Sequence, residues 1–318
     1  MDIMQEIKNC GIVPVVVIDK AEDAVPTANA LAAGGVNVME ITLRTAAGLD
    51  SIRQVAKNCP DVLVGAGTVI TLDQCKSAVD AGAKYIVSPG FNHNVVAWCV
   101  ENNVPITPGC VTPTEIMQAM ELGVNVIKFF PANIYGGLGA MKALAGPFPG
   151  VTFIPTGGIS ENNVDEYIKP SFIHAVGGSW LCTRADIAAG NFDKIEALSK
   201  STINKMLGFE WGHIGINNDN KDDSMNICNF FANAFGTELK IDELSNFASP
   251  AIEVLNFRFL GEHGHIAIKT NCIHRAMAHL EKRGFTFDMS TAKYVNDKLV
   301  VVYFTEHQGG FAVHLLQA

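Results

Sequence analysis

A lysine inside a run of apolar residues is the first feature of this sequence with chemical meaning. Lys128 stands in Val126-Ile127-Lys128-Phe129-Phe130, and lysine is almost never fully buried without a reason. Desolvation disfavours an ammonium, so an amine held among aromatic neighbours becomes a nucleophile toward carbonyl carbon. Glu40 is embedded in a second apolar run, Val38-Met39-Glu40-Ile41. A carboxylate beside such an amine can carry protons through carbinolamine and enamine steps. The same two residues also fit a plain buried ion pair, and the two readings do not exclude one another. Arg44 follows four residues later. Its guanidinium fork suits a substrate carboxylate, or it is an ordinary surface arginine. Thr68 can add a hydroxyl to the same group. Gly157-Gly158 and Gly177-Gly178-Ser179 are paired glycines whose N–H groups, with the Ser179 hydroxyl, suit a phosphate. One such pair alone is usually a tight turn.

These side chains make a site only if the fold gathers them. The first two hundred residues alternate short apolar runs with amphipathic stretches. The runs at 11–18, 36–43, 62–69, 84–89, 104–109, 124–131, 151–157 and 171–177 read as strands buried on both faces. Stretches 22–33, 72–81 and 114–122 read as helices, each followed by a glycine (Gly34, Gly82, Gly123) that fits a C-terminal cap. Eight strand–helix units before residue 206 point to an α/β fold, a (β/α)8 TIM barrel. An open doubly wound sheet is the alternative, but the first strand runs into Asp19-Lys20-Ala21 without the Gly-x-Gly-x-x-Gly turn of that fold. In a barrel the chemistry sits at the C-terminal strand ends. There stand Glu40 and Arg44, Gly67-Thr68, Ser88-Pro89-Gly90, Lys128, Thr156-Gly157-Gly158 and Gly178-Ser179. His93 and His174 are isolated, and His174 reads as a packed strand residue, which disfavours a metal-dependent barrel chemistry.

The remainder bounds the setting. A chain of 318 residues exceeds one compact core. Its net charge of −9 gives nucleic acid no general reason to bind. Eight cysteines without a Cys-x-x-Cys pair read as buried thiols of a reducing compartment. The N-terminal MDIMQEIKNC lacks an apolar signal region, and no run is long enough to span a membrane. A cytoplasmic protein is expected. Near 207–209 the pattern changes to period-two strands, giving domains 1–206 and 209–318. Trp211-Gly212-His213-Ile214-Gly215-Ile216 echoes His263-Gly264-His265-Ile266-Ala267-Ile268, and helical stretches follow at 225–235 and 273–283. Ala251-Ile252-Glu253-Val254-Leu255 echoes Ala312-Val313-His314-Leu315-Leu316. An internal duplication is the reading.

The motifs Glu40-Ile41-Thr42-Leu43-Arg44-Thr45, Gly65-Ala66-Gly67-Thr68-Val69, Ser88-Pro89-Gly90, Lys128-Phe129-Phe130-Pro131-Ala132, Pro155-Thr156-Gly157-Gly158-Ile159 and Gly177-Gly178-Ser179-Trp180 occur in this order. Together they resemble the 2-keto-3-deoxy-6-phosphogluconate (KDPG) and 4-hydroxy-2-oxoglutarate (KHG) aldolases over about residues 3–206. The resemblance implies a metal-free class I aldolase, usually a homotrimer, acting on a small keto acid and a phosphorylated aldehyde. By matched position Lys128 would form the Schiff base and Glu40 would be the acid/base. Arg44 and Thr68 would hold the pyruvyl carboxylate, with Pro89, Thr156 and Gly157 lining the site. Gly158, Gly178 and Ser179 would meet the phosphate. A sugar-phosphate epimerase on the same barrel is the competing enzyme. The tail resembles the glyoxalase/bleomycin-resistance (vicinal oxygen chelate) group, which pairs two βαβββ modules in a small α+β domain. That resemblance places His213, Glu253, His265 and His314 at metal-ligand positions for a divalent ion. A second metal-dependent activity and a non-catalytic sensing module both follow from it as expectations.

Overall fold

The apolar runs form strands β1 (Ile12–Val16), β2 (Val38–Thr42), β3 (Leu63–Gly67), β4 (Ile86–Val87), β5 (Ile106–Thr107), β6 (Val126–Phe129), β7 (Thr152–Pro155) and β8 (Val176–Gly178) in a computed structural model that describes residues 2–318. All pair in parallel, in the order β5-β4-β3-β2-β1-β8 with β6-β7 alongside. Bridges Gly109↔Lys128 and Thr156↔Gly177 join the two sets, so the eight strands close into a (β/α)8 barrel. Every residue of β1, β2 and β3 is buried, as parallel strands covered on both faces must be.

The strands are shorter than the runs that predict them, and the eighth is displaced. Its ladder to β1 is Val176–Gly178. The stretch before it is held by the bridge Phe153↔Ile173 and by the His174 N–H, which donates to the Phe153 carbonyl at 2.8 Å. His174 itself is buried, with Nε2 2.8 Å from the Met4 carbonyl and Nδ1 3.2 Å from Thr152 Oγ1. The helices come within a turn of expectation at Ala24–Ala33, Leu72–Asp80 and Pro113–Glu121. Capping boxes at Thr71/Gln74 and Thr112/Glu115 set the latter two starts. Gly34 is the C-cap of its helix, its N–H donating to the Ala30 carbonyl. Gly34 has φ −78°, and the left-handed residue is Gly35 at φ 89°. Gly34 is also a packing position, since a Cβ there would lie 2.3 Å from Ser199 Cβ.

This first unit ends at Met206, and the second is Leu207–Ala318. The second contains β9 (Glu210–Ile216), the helix Lys221–Phe235, and β10 (Lys240–Ile241), β11 (Ser245–Ser249) and β12 (Ile252–Leu255). It then repeats the pattern with β13 (Gly264–Thr270), the helix Ile273–Glu281, and β14 (Phe287–Val295), β15 (Lys298–Phe304) and β16 (Phe311–Gln317). These are two βαβββ modules in one eight-stranded sheet, ordered β10-β11-β12-β9-β13-β16-β15-β14. The pairing is pseudo-symmetric. β12 lies parallel to β9 with Glu253 opposite Gly215, two residues past His213. β16 lies parallel to β13 with His314 opposite Ala267, two residues past His265. Helix Lys221–Phe235 packs Cys228 and Phe231 against Ala248, Val254 and Ile216 on one sheet face. The opposite face carries the histidines. No helix among the described residues is long and apolar enough to cross a membrane.

Candidate active site

Strand β6 delivers Lys128 to the barrel interior. Its N–H donates to Pro108 O at 2.9 Å, and its carbonyl accepts from Cys110 N–H at 3.0 Å, so the segment just after β5 fixes the backbone. The ammonium donates to both oxygens of Glu40, at 3.1 and 3.2 Å, and both residues are about 5% exposed or less. The Phe130 ring centroid lies 5.6 Å from Nζ. A buried amine with one bidentate carboxylate and an aromatic wall satisfies its charge through that single partner.

What places Glu40 is strand β3. Gly65 and Gly67 point to the same interior face as Glu40. A Cβ on Gly65 would lie 2.4 Å from the Tyr85 ring, and a Cβ on Gly67 only 2.1 Å from Glu40 Oε1. Tyr85 is fully buried and donates to Met39 O at 2.9 Å, tying down the residue before Glu40. Burial, reinforced by the Glu40 charge, pushes the Tyr85 hydroxyl well above its usual range, so it stays a neutral donor. Tyr85 was not foreseen from the sequence, and neither was the part Gly67 plays in placing Glu40. The alternation Gly65-x-Gly67 on one strand face was the available signal.

Arg44 and Thr68 meet directly, with Nε donating to Oγ1 at 3.0 Å. Thr68 has φ 59°, an uncommon conformation for a β-branched residue. Its position just after Gly67 sets this pair at the rim above Glu40. Pro89 is exposed at the end of β4, its carbonyl packed against Gly109. Thr156 is buried with Oγ1 unpartnered and pressed on Gly177. Gly157 and Gly158 take φ 96° and 78°, and Asn133 fills the space where a Gly158 side chain would be. Gly178 lies under the Trp180 ring, and Ser179 is exposed beside it. The strand ends thus carry a buried Lys–Glu pair, an Arg–Thr pair, and two glycine turns presenting backbone N–H groups.

The second unit holds another cluster. His213 Nε2, His265 Nε2 and Glu253 Oε2 stand 3.0–3.1 Å apart pairwise. The ligand atoms of His213, His265 and His314 all lie within 4.8 Å of one another. Two ligands at right angles, each about 2.1 Å from a cation, are about 3.0 Å apart. The triangle therefore has the dimensions of one face of an octahedral ion. His314 Nδ1 is 3.2 Å from the Leu315 carbonyl, which leaves Nε2 as its free donor atom. Nδ1 of His265 is buried without a partner. Burial, which outweighs the other influences, holds His314 down at about 3, so it is neutral at ordinary pH. Burial would raise Glu253, but hydrogen bonds from His213, His265 and Ser245 outweigh it and hold the carboxyl well below its usual range. The four residues are the ones the resemblance to the glyoxalase group implies; Ser245 and Tyr303 beside them were not foreseen.

A family model described as KDPG and KHG aldolase matches residues 3–198. A 2-dehydro-3-deoxy-phosphogluconate aldolase of Treponema pallidum is 47% identical over 201 residues, 63% of this chain and 96% of that protein. A KHG/KDPG aldolase of Escherichia coli is 43% identical over 192 residues, 60% of this chain and 90% of its own length. Among solved structures, a KDPG aldolase from Legionella pneumophila matches with TM-score 0.62 and 38% identity, over 64% of this chain and 98% of that one. It was determined with pyruvate captured as a covalent carbinolamine intermediate.

Proposed function

From the premise that this chain belongs to the KDPG and KHG aldolase family, we propose that its barrel reversibly cleaves 2-dehydro-3-deoxy-6-phosphogluconate to pyruvate and glyceraldehyde 3-phosphate, and 4-hydroxy-2-oxoglutarate to pyruvate and glyoxylate. The observation that carries this is the buried Lys128 amine bonded to both oxygens of Glu40. The Lys128 nitrogen adds to the C2 carbonyl, and Glu40 takes the nitrogen's proton and returns one to the departing hydroxyl, which leaves as water. The resulting iminium draws the electrons of the C3–C4 bond as the Glu40 carboxylate takes the C4 hydroxyl proton and the aldehyde departs. Protonation of the enamine at C3 and hydrolysis release pyruvate and the free lysine. The iminium is the electron sink, so the barrel chemistry calls on no metal. Arg44 and Thr68 hold the C1 carboxylate, and Pro89 and Thr156 border the reacting carbons. Gly157, Gly158, Gly178 and Ser179 receive the phosphate through N–H and hydroxyl donors.

The test is borohydride reduction with pyruvate. Peptide mass analysis should find a reduced adduct on Lys128 that is missing from Lys128→Ala. Turnover persisting in Lys128→Ala would favour the epimerase class instead. The homotrimer and the cytoplasmic setting belong to the same proposal. Exposed Ile70, Met117 and Ile134 offer apolar surface for an interface, and eight cysteines outside any disulfide, seven of them buried, suit a reducing compartment.

A second reading concerns the tail. The 3.0–3.1 Å donor triangle favours a divalent-metal centre of the glyoxalase-like type, held by His213, Glu253, His265 and His314. A bound ion would supply a Lewis acid on the open sheet face. Metal analysis after loading with Mn2+ or Zn2+ should give near-stoichiometric metal, lost in the His213→Ala/His265→Ala chain.

A further inference from the structure

We infer that Asn163 is a positioning residue for the substrate phosphate: its side-chain amide turns the Gly158–Ile159 peptide so that the Ile159 N–H becomes a further phosphate donor. This rests on the aldolase reading above and adds to its phosphate site one donor and the residue that aims it. Asn163 Nδ2 donates to the Gly158 carbonyl at 3.1 Å, and Asn163 Oδ1 accepts the Ser160 N–H at 2.9 Å. One amide thus holds the peptide groups on both sides of Ile159. The segment after β6 holds the peptides just before it. There the Ala132 N–H donates to Thr156 O at 2.8 Å and the Asn133 N–H to Gly157 O at 3.3 Å.

Peptide planarity converts these bonds into donor directions, because the C=O and N–H of one trans peptide point opposite ways. The Gly157 carbonyl is turned toward the segment after β6, so the Gly158 N–H faces the other side. On that side lies β8, which meets this turn at the bridge Thr156↔Gly177 and ends in Gly178. The Gly158 carbonyl is turned toward Asn163, so the Ile159 N–H faces away from it. Among the described residues neither N–H donates to a protein acceptor. Two successive free N–H groups about a residue at φ 78° form an anion-binding concavity. The clamp is itself held. The Ile159 side chain is buried, and Lys205 Nζ donates to the Glu161 carbonyl at 2.6 Å, anchoring the loop on helix Phe192–Leu207. Without the amide the Gly158 carbonyl can rotate toward an incoming phosphate, whose charge it repels. A substrate without a phosphate places no demand on this peptide.

The experiment compares the full-length parent with Asn163→Ala and Asn163→Asp on 2-dehydro-3-deoxy-6-phosphogluconate and 4-hydroxy-2-oxoglutarate. Asn163→Ala should raise KM for the phosphorylated substrate about 10-fold, the worth of one hydrogen bond to a charged group. Its kcat on that substrate, and both constants for 4-hydroxy-2-oxoglutarate, should stay within about 3-fold of the parent. Asn163→Asp keeps the acceptor for Ser160 but sets a carboxylate oxygen against the Gly158 carbonyl, so its effect should be the larger and equally confined to the phosphorylated substrate. If Asn163→Ala does not fold, Asn163→Asp carries the same comparison. A KM rise shared by both substrates marks a role in building the turn alone and overturns the inference. An unchanged KM for the phosphorylated substrate overturns it as well, and either result leaves the aldolase reading standing. A parent that cleaves neither substrate overturns that reading and this inference with it.

Discussion

Replacing Gly67 by alanine should disable the enzyme without unfolding it, and replacing Gly65 should do the reverse. A Cβ on Gly67 would stand 2.1 Å from Glu40 Oε1 and 2.5 Å from Glu40 Cγ. Ordinary contact begins near 3.4 Å, so the carboxyl must retreat by more than an ångström. It is the far end of a flexible side chain and can swing, so the barrel stays folded, although parting the two buried charges costs about 3 kcal/mol. Its hydrogen bonds to Lys128 of 3.1 and 3.2 Å do not survive that movement. Misplacing a reacting group by about 1 Å costs roughly 100-fold in rate. Gly65 faces the fully buried Tyr85 ring at 2.4–2.5 Å on three ring atoms. That ring is packed on every side and donates to Met39 O, so it cannot give way cheaply. Gly65→Ala should therefore cost about 3 kcal/mol of stability while the remaining folded enzyme turns over near the parental rate. The assays are pyruvate release coupled to lactate dehydrogenase, corrected for folded fraction, and urea denaturation. Gly67→Ala with kcat within about 3-fold of the parent would refute the claim that strand β3 places the catalytic carboxylate.

Other expectations follow from the same geometry. Glu40→Gln leaves the Lys128 charge unpaired in an apolar wall and should cost about 3–5 kcal/mol in denaturation; adding Lys128→Met should recover part of it. Gly158→Ala, at φ 78° with Asn133 in the way, should raise KM for the phosphorylated substrate at least about 10-fold and spare 4-hydroxy-2-oxoglutarate, as steady-state kinetics on both substrates would show. Thr68→Gly should relieve about 1 kcal/mol of left-handed strain, read as a higher Tm, and weaken pyruvate binding through the lost Arg44 contact. The second unit should lose stability in acid. The unfolded chain protonates His314 near 6.5, but the folded unit resists until about 3. Stability therefore falls as pH drops below 6.5, by roughly 2–3 kcal/mol at pH 4.5, and Glu253, held low in the fold, works in the same direction. Melts followed by Trp211 fluorescence, with Trp98 and Trp180 replaced by phenylalanine, would show a flat profile if this is wrong.

The barrel was legible because its strands are uniformly apolar, so a charged residue within one, Lys128 or Glu40, declares itself. Their pairing was legible only through the barrel reading. Eighty-eight residues separate the two, and only closure of the ring sets β6 and β2 facing one interior. Strand eight was misplaced because Ser171-Phe172-Ile173 is as apolar as a strand yet makes only a bridge to Phe153. Composition marks burial there, and register with β1 decides the ladder. Thr68's left-handed turn and the packing of Tyr85 on Gly65 carry no local signature that separates them from ordinary strand residues.

In the second unit symmetry gathers the site instead. A period-two strand pattern cannot by itself say which histidines share a face. The duplication can, because equivalent residues of two modules related by a pseudo-twofold meet at the axis where β9 and β13 pair. His213 and His265 are equivalent and lie beside that axis, so their Nε2 atoms approach to 3.1 Å. Glu253 and His314 are also equivalent, each on the parallel neighbour strand two residues further on. The same position thus carries a carboxylate in one module and an imidazole in the other. That substitution removes one negative charge from the cup and leaves a bound divalent ion with a net positive charge.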